Sequence, residues 1–114
     1  MRKIDQQTAN AFLSNGKMSE GNTVVSKGLV TLHGNDIARY INDSHIKINF
    51  CGYPTNVTKA RINAIVRQFS NDRYSVSIKQ GKIMQIMLNC AYKPSVVIND
   101  DGWVDIIRDW AIKV

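Results

Sequence analysis

Cysteine, long apolar runs and catalytic spacing are what this sequence has least of. Two cysteines, Cys51 and Cys90, occur in 114 residues, too few for the disulfide framework that staples small secreted domains. In a reducing cytosol they are expected to be free thiols packed as small apolar side chains. No apolar stretch approaches the roughly 20 residues of a membrane helix; stretches such as Ile86–Leu88 are strand-sized. The start, Met1-Arg2-Lys3-Ile4-Asp5, leads into Gln6-Gln7-Thr8 rather than into the apolar core of a signal peptide. The chain is therefore expected to stay in the cytoplasm where it is made, away from membranes.

The motifs of common chemistries are missing as well. There is no Gly-x-x-x-x-Gly-Lys-Ser/Thr phosphate loop and no dinucleotide fingerprint. Ser14-Asn15-Gly16-Lys17 has the Ser-x-x-Lys spacing but sits where a helix should give way to a loop, without the companion motifs. Asp100-Asp101 precedes Gly102 and reads as a turn. His33, His45, Cys51 and Cys90 lack the close pairing of a structural zinc site. His33 and Asp36 could orient an acid–base pair, but no third partner accompanies them. The expectation is no catalytic residue, no metal and no cofactor.

What is present is an ordinary globular composition, 44% hydrophobic and 21% charged, enough for one domain spanning residues 1–114 with one modest core. The net charge of +6 is uneven. Residues 100–114 carry a net −2, so residues 1–99 carry +8, and between His45 and Ile98 eight bases face the single acid Asp72. Such a surface suits nucleic acid or an acidic protein, and it also suits plain solvation.

Periodicity predicts an α+β fold in the order α-ββββ-α-ββ-β. Asp5–Leu13 reads as a short N-terminal helix ended by Asn15-Gly16, and Lys17–Asn22 as a loop. A period of two then marks Thr23–Ser26, Leu29–His33, Asp36–Ile41 and His45–Phe50 as a four-stranded meander, with Gly34-Asn35 expected to form a type II′ turn. Ile62, Ile65, Val66 and Phe69 give an apolar stripe over a helix from about Val57 to Phe69, capped by Thr55 or Asn56. Lys59, Asn63 and Arg67 form a row away from that stripe. Tyr74–Lys79 and Lys82–Leu88 read as a hairpin, the second strand being apolar enough for a central position. Pro94 breaks the chain before a short strand, Val96–Ile98. Trp103–Ile107 reads as a last strand, with a helix over Val104–Trp110 as the alternative. The sum is a mainly antiparallel sheet of meander and hairpin, one amphipathic helix packed on it, and a short helix in front.

The candidate partner- or phosphate-binding residues are basic, with tyrosines interleaved. Lys59, Arg61 and Arg67 lie on the main helix, Arg73, Lys79 and Lys82 on the following hairpin, and Tyr53, Tyr74 and Tyr92 among them. Such side chains neutralise phosphate or pair with carboxylates while tyrosines stack; equally, they solubilise a helix while tyrosines fill the core edge. Trp103 and Trp110 could anchor a partner or close the core.

Two segments resemble short proteins of tailed bacteriophages. Leu32-His33-Gly34-Asn35-Asp36-Ile37-Ala38 is similar to their Leu-His-Gly-Asn-x-Ile-Ala hairpin. Gly52–Ala64, reading Gly-Tyr-Pro-Thr-Asn-Val-Thr-Lys-Ala-Arg-Ile-Asn-Ala, resembles their Gly-aromatic-x-Thr-x-x-Thr-Lys-x-Arg-Leu-Asn-Ala segment. Leu88-Asn89 and Gly102-Trp103 echo their ending, although Cys90–Ile98 is longer than that pattern. The resemblance implies a phage product acting in the bacterial cytoplasm and brings no catalytic residue. The expected function is a non-enzymatic accessory protein that binds and modulates a host protein or nucleoprotein assembly, an inhibitor of antiviral defence being one form. The alternative is a basic module that binds DNA or RNA through phosphates. Nothing in the sequence fixes the oligomeric state.

Overall fold

The computed structural model describes residues 2–91 and 93–108. In chain order the elements are α1 (Lys3–Leu13), β1 (Met18–Glu20), β2 (Thr23–Ser26), β3 (Leu29–Leu32), β4 (Asn35–Asn42), β5 (His45–Ile48), α2 (Asn56–Phe69), β6 (Tyr74–Lys79), β7 (Gln85–Cys90), β8 (Lys93–Ile98) and β9 (Val104–Ile107). The fold is α+β with antiparallel sheets, and the strands divide between two of them, in the orders β1-β2-β3-β4-β5-β9 and β6-β7-β8. Among the described residues no helix is long and apolar enough to cross a membrane.

Tight turns generate the larger sheet. Lys27 and Gly28 (φ 54° and 72°) join β2 to β3, and His33 and Gly34 (φ 52° and 80°) join β3 to β4. The closing pairs are Ser26↔Leu29 and Leu32↔Asn35. Two central residues with positive φ define type I′ turns, whose twist matches that of the flanking strands. The turn expected at Gly34-Asn35 therefore lies one residue earlier, with His33 in the left-handed conformation. Met18–Glu20, expected within a loop, pairs with β2 as a short edge strand. At the opposite end β9 pairs with β5 (Ile46↔Ile106, Ile48↔Val104), so Trp103–Ile107 does end in a strand; Trp110 lies outside the described residues.

The smaller sheet differs from expectation in its limits. Lys82–Met84 belong to the β6–β7 loop and are exposed, because Gln85 is the first β7 residue to pair, with Lys79. Pro94 lies inside β8, which is longer than expected; β8 is an edge strand, where a missing N–H does not interrupt the sheet.

Both helices and both sheets contribute to one core. Inward side chains of the meander, such as Val30, Ile46 and Ile48, join Phe12 of α1, the Ile62–Ile65–Phe69 stripe of α2, and Val76, Ile86 and Leu88 of the smaller sheet. Helix α2 starts where hydrogen bonding permits: Thr55 is its N-cap, accepting from the Thr58 amide at 3.2 Å. At its other end Arg108, just past β9, donates to the Phe69 carbonyl at 3.1 Å and lies over the Phe69 ring. One ion pair is built into this interior. Arg61 of α2 and Asp5 of α1, 6% and 3% exposed, are bonded to each other, and Arg61 Nε also donates to Thr23 Oγ1 of β2 at 3.2 Å. It fastens both helices to the sheet.

Candidate partner-binding surface

The site is built by the chain reversal between β5 and α2. The Asn49 side-chain oxygen accepts from the Cys51 amide at 2.7 Å and from the Gly102 amide at 3.1 Å. Cys51 and Gly52 then take positive φ (56° and 76°), a sharp bend that glycine makes at no steric cost. The Gly52 amide bonds the Asp100 carbonyl and the Tyr53 amide bonds that of Phe50. This brings residues 50–58 against the β3–β4 turn and leaves a recess of about 480 Å³ between them. Leu32, Ile37, Phe50 and Val57 supply its apolar walls; His33, Asn35, Tyr53, Thr55 and Thr58 supply polar edges. Tyr53 is 58% exposed.

The surroundings of the recess are acidic, in a chain that is basic overall. Cys51 lines the recess, and its thiol donates to the Asp36 carbonyl at 3.1 Å. Partial burial, reinforced by the charges of Asp36 and Asp101, holds this thiol above its ordinary pKa. Asp36, Asp100 and Asp101 are exposed and form no ion pair among the described residues.

The basic residues singled out in the sequence divide among several environments. Arg61 is not on the surface; it belongs to the buried pair with Asp5. Within the row Lys59, Asn63, Arg67, Asn63 is occupied by the smaller sheet, its side-chain oxygen accepting the Val76 amide at 2.8 Å. Lys59 is half-buried, and Arg67 is exposed but paired with Asp72 at 2.8 Å. Arg73, Lys79 and Lys82 belong to the smaller sheet and its loop. Tyr92 lies outside the described residues, and Tyr74 is a core residue. The thiols of Cys51 and Cys90 are free but only half-buried, not fully in the core.

Sequence reasoning missed the outer face of the large sheet. Trp103, expected more as core than as surface, is 39% exposed, with the Arg39 guanidinium 5.8 Å from its ring. Across the same face, Asp105 bonds His45 at 2.8 Å and Lys47 at 3.3 Å. The His45 hydrogen bond, then Lys47, draws the Asp105 pKa down against a smaller opposing effect of desolvation. The usable signal was the period-two placement of Arg39 and Lys47, which become cross-strand partners. His33 and Asp36 flank the β3–β4 turn without bonding each other, and no group of three or more His, Cys, Asp or Glu stands close enough to hold a metal among the described residues.

The chain matches the family model described as Kyanoviridae Gp96 protein over residues 1–104, and it belongs to that phage protein family. No curated protein and no solved structure matches it.

Proposed function

We propose that this member of the Kyanoviridae Gp96 protein family is a non-enzymatic phage accessory protein that binds and modulates a host protein or a nucleoprotein assembly, using the recess before α2 as its anchor site. The observation that carries this reading is the convergence of residues 32–37 and 50–58, far apart in the chain, on one half-open recess with apolar walls and a polar, hydroxyl-bearing edge. Interfaces concentrate affinity where an aromatic or aliphatic side chain enters such a depression. An aromatic side chain burying about 150–250 Å² gains roughly 4–6 kcal/mol at 25 cal/mol per Å², before the cost of association. Asp36 and Asp101 beside the recess favour a partner whose anchoring residue has a basic neighbour. Membership of a phage family supports a target inside the infected bacterium, and an antiviral defence assembly is the target class this reading puts first.

The test is site-specific photo-crosslinking in infected host cells. A benzophenone side chain at Tyr53 should give one discrete crosslinked host protein, and Val57→Asp, at a half-exposed recess residue, should abolish it while leaving the fold intact. The same probe at Lys27, on the far side of the meander, should give none. Equal crosslinking from both positions, or none from Tyr53, would overturn the reading.

A further inference from the structure

The smaller sheet presents a second surface, of different chemistry. Residues 73–99 contain four bases, Arg73, Lys79, Lys82 and Lys93, and no acid. On β6, Tyr74 and Val76 point into the core, so Ser75, Ser77 and Lys79 alternate onto the other side, and Arg73 directly precedes the strand. The register places Asn89 opposite Ser75, Met87 opposite Ser77 and Gln85 opposite Lys79, with Val97 of β8 beyond Met87. The face is half-exposed along β6 and β7 and open at Val97, which is 55% exposed, and Asn63 of α2 takes the Val76 amide at β6's other edge.

The hydrogen bonding on this face favours a ligand that accepts. The Ser95 hydroxyl donates to the Asn89 side-chain oxygen at 2.6 Å. The Asn89 amide in turn donates to Ser77 Oγ at 3.0 Å and to Ser75 Oγ at 3.3 Å. Both β6 hydroxyls thus accept from Asn89, and their own hydrogens are left to donate outward. The row Arg73, Ser75, Ser77, Lys79 is therefore cation, donor, donor, cation; Asp72, the acid next to Arg73, is paired with Arg67, and the row suits a partner that accepts and is negatively charged.

We propose that the outer face of the β6–β8 sheet binds the sugar–phosphate backbone of a nucleic acid duplex. Alternate residues along β6 are roughly 6.6 Å apart, comparable with the separation of successive phosphates along one backbone, which exceeds their rise of about 3.4 Å along the axis. The row from Arg73 to Lys79 spans about 20 Å, which makes it a track along a backbone rather than a single anion site. Serine hydroxyls and cations are the groups that contact phosphate without reading sequence. Among the described residues no aromatic side chain lies on this face, and stacking platforms are what single-strand binding uses. At one end the loop Gln80–Met84 projects Lys82 beside Ile83 and Met84, which are 76% and 47% exposed, offering an apolar contact to the groove wall. This surface is distinct from the recess, and the two readings fail independently.

Fluorescence anisotropy with a labelled short duplex, as DNA and as RNA, tests the proposal with the intact protein. Binding at about 50 mM salt should weaken on salt addition with a slope near 0.9 per phosphate contacted, so about 2.7 for Arg73, Lys79 and Lys82. Lys79→Ala and Lys82→Ala should each lower that slope by about 0.9. Ser75→Ala with Ser77→Ala should weaken binding several-fold with the slope unchanged, because the hydroxyls carry no charge, and Lys27→Ala should alter neither. The two duplex arms identify which nucleic acid is bound. Absence of binding at low salt, tighter binding to single strands, tighter binding to phosphatidylserine vesicles or polyglutamate, or slopes insensitive to Lys79 and Lys82 would each overturn it. Unchanged melting curves for the variants secure the comparison.

Discussion

Replacing Arg61 by alanine should be among the most damaging single changes outside the apolar core. The guanidinium is 6% exposed and its partner Asp5 3%. Removing it strands a carboxylate beneath two helices and leaves the Thr23 hydroxyl without its donor. Breaking a buried pair from one side costs about 3–5 kcal/mol, most of it the penalty of the charge left behind. Arg2 softens this: its Nε lies 3.4 Å from Asp5 and its side chain is 58% exposed, so it can swing closer to the stranded carboxylate. The lower end, about 3 kcal/mol, is the expected loss. An unfolding entropy of about 2.1 cal/mol/K per residue over this chain length converts each kcal/mol to about 4 °C, so Tm should drop by roughly 12 °C. Arg67→Ala, which breaks the exposed pair with Asp72 (side chains 45% and 69% exposed), should cost no more than about 1 kcal/mol. The apolar double variant Asp5→Leu, Arg61→Met should be more stable than Arg61→Ala alone, because it leaves no charge buried. Thermal and urea unfolding of the four proteins measure this. Equal losses for Arg61→Ala and Arg67→Ala, or a double variant worse than Arg61→Ala, would refute the reasoning.

Three further outcomes follow from the same geometry. Ile62→Asp or Val66→Asp places an unpaired carboxylate at a fully buried α2 position and should abolish cooperative unfolding by circular dichroism. Gly28→Ala should cost about 1–2 kcal/mol, as its φ of 72° is left-handed; its new Cβ would also stand 3.4 Å from the Tyr40 Cβ, so Gly34→Ala, with open space around it, should cost less in the same urea titration. Cys51 should react with iodoacetamide only at higher pH than a free thiol, since burial and then Asp36 and Asp101 disfavour its thiolate; Asp36→Asn with Asp101→Asn should shift the onset down, and an unchanged profile would count against the acidic surroundings described for the recess.

Local chemistry was readable in the sequence wherever the cause lay within a few residues. The α2 stripe, its Thr55 cap, the period-two meander and the β6–β7 pairing all depend on neighbours in the chain, and their limits agree with the structure to within a few residues. The exceptions have distant partners. Arg61 looked like a surface base because its carboxylate is 56 positions away, on a helix whose packing against α2 no periodicity announces. Asn63 and its row looked solvent-facing because the Val76 amide that occupies Asn63 belongs to a strand added later. Trp103 faces outward because β9 joins the open edge of β5, a choice made by sheet pairing rather than by hydropathy. The turn sits at His33-Gly34 rather than Gly34-Asn35 because Leu32 and Asn35 form the closing pair, which puts the glycine second, and both central residues take positive φ.

The net charge of the chain conceals two opposed surfaces, and the fold explains how. The reversal at Cys51-Gly52, tied to Asp100 through the Gly52 amide, gathers Asp36, Asp100 and Asp101 from distant parts of the sequence beside the recess. The hairpin after α2 carries its bases outward, because Tyr74, Val76, Ile86 and Leu88 take the inward positions of β6 and β7. A pooled count of eight bases and one acid over residues 45–98 therefore describes neither surface: Arg61 and Arg67 have carboxylate partners, Lys59 is half-buried, and the recess is bordered by acids. A partner bound at the recess and one bound on the β6–β8 face would carry opposite charge, so the signs of their responses to charge-reversing variants should be opposite. Asp36→Lys should weaken the first and leave the second unchanged, and Lys79→Glu should do the reverse.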